Sequence, residues 1–531
     1  MQLDFATNLI NMFPINILVL MLLIPLVGAL FAFLLGNKGS RAITLIITTL
    51  ELGLAGLLII GTPSLGSDPG GMSHSITYML ARLGTDSTAP VFEIILGVDG
   101  ISMVMILLSN LVVWIAAISS NHIKESQGLY YTFFLVLQTG LLGVFMSLDL
   151  IGFFIFWELV LIPMFFIIGR WGEEGSRHAA VKFFIYTHLG SAVMLVGFFY
   201  LYFMSSMFDV NGIATAVPTF SMIALRDLGL DPWIQIGFAL AIFMGAGVKL
   251  PVFPLHNWLP WAHVKAPTPG SVILAGILLK MGGYAFIRLG LWMVPDAIAR
   301  LAIPFAIVAI FTCIYAAFTA MAQTDMKSLV AYTSINHMSW VLLGIAAYAA
   351  GVSSTDPTIQ AAANLAIQGS IFMMFSHGTI ISVMFIVAGQ LKYNAGTRQI
   401  PNIKGLMEKA PRLSAVLILA SLAAFGLPGF SGFIAEALII FGAIVVYNWS
   451  ALIGFGIFVT VGYMLWMLNR IVFSDPDPEA DPEKGITEAS WSDLIAPILM
   501  LIPVIILGLW PDLVLDFVKP VVDAMLAGGA P

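Results

Sequence analysis

Charge is what this sequence has least of: Asp, Glu, Lys and Arg make up 10% of its 531 residues, and 60% are apolar. Ordinary soluble domains carry about 25% charged residues, so a water-soluble globular protein is excluded and a polytopic membrane protein is expected. A basic excess is also missing. The 22 Lys+Arg against 29 Asp+Glu leave a net charge of -7, which removes the case for nucleic acid as a partner. Cysteine is nearly absent; Cys313 alone can form neither an intrachain disulfide nor a multi-cysteine metal site, so iron–sulfur chemistry within the chain is not expected. Glycine-rich stretches such as Gly282-Gly283 follow no strand and lack the Walker or dinucleotide spacing, leaving no visible site for NADH, ATP or flavin. Residues 1–35 lack the basic region, short apolar core and small-residue cleavage site of a signal peptide, so 15–35 is expected to stay as a first span.

What the chain does have is long apolar runs. Taking about 20 such residues as one crossing, fourteen spanning helices are expected at 15–35, 41–60, 98–118, 129–148, 149–169, 179–204, 233–258, 269–291, 299–320, 328–349, 361–390, 413–446, 449–473 and 493–517. Fifteen basic residues, among them Arg170, Lys327, Lys392, Arg398 and Lys484, fall after odd-numbered helices; five fall on the other side, and Lys249 and Lys280 lie within helices. The positive-inside rule then places both termini outside, in a bacterial cytoplasmic (inner) membrane. The outer loop 61–97 reads as a partly ordered connector, and the Asp-Pro-rich inner loop 474–493 as a solvated acidic surface.

Against this background the stretch 243–260, FMGAGVKLPVFPLHNWLP, is anomalous. Lysine at membrane depth costs roughly 2.5 to 3.5 kcal/mol, and Pro251 cannot donate the backbone bond a continuous helix requires. A second interruption, GLPGFSG at 426–432, lies five helices later and so in a helix running the opposite way. Two inverted five-helix repeats containing broken helices follow from that arrangement. Residues 1–128 would form helices one to three, 129–291 the first repeat, 299–473 the second and 493–517 the last helix, all within one membrane domain.

Glu158, Lys249, Lys280, His337, His377 and Glu436 all fall near mid-membrane. Ionisable groups there face one another or water rather than lipid. Their types suit a proton relay. A carboxylate moved toward or away from a desolvated lysine loads or unloads a proton, and histidine can pass it on near neutrality; arginine, which never releases its proton, is missing from the row. The plainer alternatives are a static Glu158–Lys249 pair, histidines satisfied within a core, and a scaffold in which buried charges only hold helices in register. The scaffold idea requires Glu158→Gln to leave turnover intact. His188 and Glu51 read as structural or locally paired, while His256 and His263, near the inner end of the broken seventh helix, have plausible access to water.

The strings GVKLPVFPLHNWLPWAHVKAPTPGSVILAGILLKMGGY, QTDMKSLVAYTSINHMSWV and FWELVLIPMFFIIGRWG carry a resemblance over essentially the whole chain. It resembles the antiporter-like membrane subunits of respiratory complex I, NADH:quinone oxidoreductase, and among them the M-type, or chain 4, branch. That resemblance implies proton translocation driven by redox chemistry elsewhere, with FMN, iron–sulfur clusters and quinone in other subunits. Neighbouring antiporter-like subunits and lipids would be the partners, and no cofactor would sit in this chain. It places the family's helix-five glutamate on Glu158, its helix-seven and helix-eight lysines on Lys249 and Lys280, its two histidines on His337 and His377, and its terminal acid on Glu436. A glutamate at that last position, where other branches carry lysine, favours the M-type, as does the shortness of 518–531 against the long lateral helix of the L-type. The alternatives are an Mrp-type cation/proton antiporter subunit, which shares the two lysine motifs, and a membrane-bound hydrogenase subunit; a quinone pocket cannot be read from the string.

Overall fold

The computed structural model describes residues 16–61, 73–82, 91–205, 218–475 and 486–526. Residue 15, most of the outer connector and the Asp-Pro run with Lys484 lie outside the described residues. Among those described, thirteen helices are long and apolar enough to cross a membrane: Ile17–Lys38, Ser40–Ile60, Gly100–Ile118, Gln127–Met146, Leu150–Trp171, Ser176–Ser205, Pro232–Lys249, Thr268–Leu291, Pro295–Met321, Met326–Gly351, Pro357–Ala395, Asn448–Ile471 and Trp491–Leu509. Two shorter apolar helices, Pro411–Ala424 and Ser431–Val446, follow one another across 425–430. Counted together, these two occupy the place of the twelfth expected span.

Aspartates define where many of these helices begin. Asp99, Asp149, Asp231, Asp325 and Asp356 each accept a backbone N–H in the first turn of the helix that follows. Each satisfies an orphan donor and places negative charge at the positive end of the helix dipole. Part of the small charge complement is thus spent on helix ends.

The eighth, tenth and eleventh spans are enclosed by protein almost throughout, whereas the first, second and thirteenth turn large apolar side chains outward. The enclosed helices are the ones that carry polar groups at depth: Lys280, His337 and His377 are all buried. Lipid offers such groups no partner, so the polar helices take the interior.

Two elements differ from the sequence reading. The outer connector contains an antiparallel hairpin, β1 Ser73–Arg82 and β2 Val91–Val98. Its second strand is tied to the turn after the fourth span, where Leu148 N–H donates to Ile95 O at 2.7 Å and the Asp149 carboxylate accepts from Ile95 N–H at 2.9 Å. The Gly/Ser/Pro-rich flanks hid an apolar run, VFEIILGV, with strand character. The second difference is the last span, which stops at Leu509. Pro511 has no N–H with which to continue the helix, and Asp512–Leu526 forms a separate amphipathic helix. It buries Val514, Leu515, Val518 and Val521 against the third and eleventh spans.

Candidate functional site

The seventh span stops at Lys249 and the chain resumes helix at Trp258–Lys265. Gly247, Pro251 and Pro254 account for the break, and Trp258 bridges it, its indole N–H donating to Val248 O at 2.9 Å. The eighth span packs directly on the break because Gly282 has no side chain; a Cβ there would lie 2.5 Å from the Leu250 nitrogen and 2.7 Å from the Ala246 oxygen. Lys249 is 2% exposed, yet its ammonium has no hydrogen-bond partner. The Trp157 ring centroid lies 4.6 Å from Nζ, and Glu158 is within electrostatic range without bonding it.

Lys280 opens a different arrangement. It sits between two π-helical stretches, Leu274–Leu278 and Phe286–Leu291. Such stretches free carbonyls from the regular ladder. Its ammonium donates to Ala275 O at 2.5 Å and to His377 Nδ1 at 2.7 Å. With Nδ1 accepting, the His377 proton resides on Nε2, which is buried and unpartnered. The rings of His377 and His337 are 5.5 Å apart between centroids. Thr333, Ser376 and both histidines line a cavity there, with room for about one water. His337 donates through Nδ1 to Thr333 O at 2.8 Å and meets Glu436 Oε1 through Nε2 at 3.3 Å. Glu436 is placed by the twelfth-span break, its carboxylate lying over Gly426, whose φ of +73° suits glycine.

The structure thus brings Lys280, His377, His337 and Glu436 into one chain, and leaves Glu158 and Lys249 in electrostatic range but without a direct bond. Glu158 turns to the sixth span, where it accepts from the Ser191 hydroxyl and meets His188 Nδ1 at 2.8 Å. His188, with 53% of its side chain exposed, puts this pair on the lateral face of the bundle. Among the described residues no hydrogen bond or ion pair joins Lys249 to Glu158 or Lys280. His256 packs against Phe253 and Tyr315 beside the break. His263 stacks on Phe385 with both ring nitrogens unpartnered, within electrostatic range of Lys327 and Lys280. Glu51 is fully buried in the second span with neither carboxyl oxygen bonded.

Three groups escaped the sequence reading. Asp99 and Arg288 form a fully buried pair at 2.5 Å, with Tyr284 and Ser102 bonded to the same guanidinium. Lys327, counted among inner-side charges, is buried and donates to Ala266 O at 2.8 Å. Arg398, 8% exposed, binds both Glu173 and Asp325, and Lys392 meets Glu173 at 3.0 Å. This cluster clasps the loops after the fifth, ninth and eleventh spans. A run of loop charges in sequence carries no sign of which will be drawn inside.

Burial raises the Glu173 carboxyl, but the Arg398 guanidinium, Lys327 and Lys392 outweigh it and hold the carboxyl below its ordinary range. A depressed value means that its stabilisation is complete above the unfolded-chain value, about 4.3, and is lost as pH falls through the lower folded value. Removing a partner from a buried pair costs roughly 3–5 kcal/mol; Glu173 is 25% exposed, so solvent screening brings the expected figure to about 1–3 kcal/mol. Arg398→Leu is expected to lower the thermal unfolding midpoint at pH 7, with the gap to wild type closing on acidification below pH ~4. A gap independent of pH would show that Arg398 acts through packing alone.

Two half-helix breaks in oppositely running spans, each beside a buried ionisable residue, define a class of ion-translocating membrane protein. Residues 147–462 match the family described as NADH:quinone oxidoreductase/Mrp antiporter, transmembrane, and the chain belongs to that family. It is 37% identical over 431 residues to NADH-quinone oxidoreductase subunit M of Rhodobacter capsulatus, covering 80% of each chain. It is 35% identical over 514 residues to subunit M of Pseudomonas aeruginosa, covering 93% of this chain and 94% of that one. Its fold superposes on a chain of respiratory complex I from Thermus thermophilus with a TM-score of 0.81 at 24% identity, covering 96% and 99%.

Proposed function

We propose that this chain is an M-type proton-translocating membrane subunit of a bacterial NADH:quinone oxidoreductase, moving H⁺ without a redox centre of its own. The observation that carries the reading is the chain Lys280–His377–His337–Glu436, continuous but for a gap of one water. A proton on Lys280 passes to His377 Nδ1 as the Nε2 proton leaves into the cavity. His337 then shares it with Glu436, beside the twelfth-span break. Lys249 and Glu158 form the coupling arm. The exposed Glu158–His188 pair lies on a lateral face at mid-span, where lipid would leave it unsolvated, so this face suits a neighbouring antiporter-like subunit. Residues 129–291 and 299–473 act as the two inverted repeats, and both termini lie on the outer side of the cytoplasmic membrane.

The family description also names Mrp antiporters, and purification separates the two readings. Isolation in mild detergent is expected to bring down NADH dehydrogenase and iron–sulfur subunits, and the reconstituted complex is expected to acidify the trans side on NADH oxidation without sodium. Sodium-dependent exchange by a complex lacking those subunits would overturn the assignment.

A further inference from the structure

The Lys249 ammonium is buried without a hydrogen-bond partner, and the carboxylate expected to hold it faces elsewhere. The group that does face it belongs to the residue immediately before that carboxylate. Trp157 is fully buried, its ring 4.6 Å from Lys249 Nζ and stacked on Phe153 at 5.4 Å between centroids. An indole face attracts a cation through its quadrupole, and does so more strongly where water is excluded.

Successive residues on a helix point about 100° apart. Trp157 and Glu158 therefore sit on adjacent faces of one helix end, the first toward Lys249 and the second toward His188 and Ser191. The ladder lengthens directly after them without breaking: Val160 keeps helical dihedrals, its N–H bonds Phe156 O at 3.3 Å and Met164 N–H bonds Val160 O at 3.4 Å. Pro163 withholds the N–H that would bond Leu159 O. The stretch that carries both side chains thus lacks one rung of the ladder, at Leu159 O, and has long ones on either side.

We propose that Trp157 is a positioning residue that holds the Lys249 ammonium while Glu158 is turned away, so that a turn of the fifth span exchanges ring for carboxylate on one cation. The coupling arm then has two occupied states. Without the ring, the state with Glu158 withdrawn would leave the ammonium unsupported. This rests on Lys249 acting as a switch in translocation.

The test replaces Trp157 by Phe, by Leu and, through site-specific incorporation, by mono-, di- and trifluorotryptophan in the intact complex. Fluorine drains the π face with little change of shape, so assembly is preserved even where Leu disturbs the packing. Proton-to-electron ratio is read in proteoliposomes, and assembly by co-isolation. Translocation is expected to fall step by step with fluorine number, by about ten-fold for the trifluoro form, with Phe retaining more than Leu. In a Lys249→Met background the five replacements should be indistinguishable from native Trp157. A flat fluorine series beside an inactive Lys249→Met overturns the role of Trp157 alone. Normal pumping by Lys249→Met overturns the underlying reading as well.

Discussion

Lys280→Met is expected to abolish proton translocation through this chain while the complex still assembles and oxidises NADH with an artificial acceptor. Methionine matches the lysine stem in length and apolar character, so the enclosed eighth span loses an ammonium and keeps its packing. The lost group is the donor to His377 Nδ1 and Ala275 O. Removing a proton-transferring group of this kind costs about 10² to 10⁴ in rate, enough to silence the route on the timescale of turnover. The proton-to-electron ratio in proteoliposomes reads the effect directly, and an unchanged ratio would remove Lys280 from the path. Lys280→Arg sharpens the test. Arginine keeps the charge and never releases its proton, so a relay is expected to fail with it, whereas a scaffold needing only a cation in register would accept it.

The arrangement around Lys280 was legible in sequence to an uneven degree. Apolar run length gave the spans, because a bilayer fixes that length. Pro251, Pro254, Gly426 and Gly429 gave the two breaks, because proline withholds a helix N–H and glycine weakens a helix. Depth alone nominated Lys280, His377, His337 and Glu436, and these four do meet. Depth could not supply azimuth. Glu158 lies level with Lys249 by sequence, yet one residue of rotation turns it to the sixth span and gives Lys249 the ring of Trp157. The Asp99–Arg288 pair stayed hidden for a related reason: an arginine near the end of a span reads as an anchor at the surface, and only the packing of the third span on the eighth shows it as buried. The helix Asp512–Leu526 was merged with its predecessor because apolar composition continues across Pro511.

Glu436→Gln is expected to stop translocation as completely as Lys280→Met, and its reason lies in where protons can reside. His337 Nδ1 is committed to Thr333 O, which leaves Nε2 as the atom that gives or takes a proton, and Glu436 Oε1 stands 3.3 Å away. Glutamine is isosteric with the acid and can still hydrogen-bond Nε2. Its amide, however, neither accepts nor releases a proton near neutrality, so the chain ends at His337. Glu436→Asp separates position from chemistry. It keeps the carboxyl group and withdraws it by about one C–C bond, ~1.5 Å; a misplacement near 1 Å can cost about 10²-fold. The aspartate variant should therefore pump detectably but well below wild type, between glutamine and the native acid. The same proteoliposome ratio measures both, and co-isolation with the partner subunits controls for assembly. Equal activity of Gln and Glu would show that the proton leaves before position 436, and would leave the break at Gly426 without a part in its release.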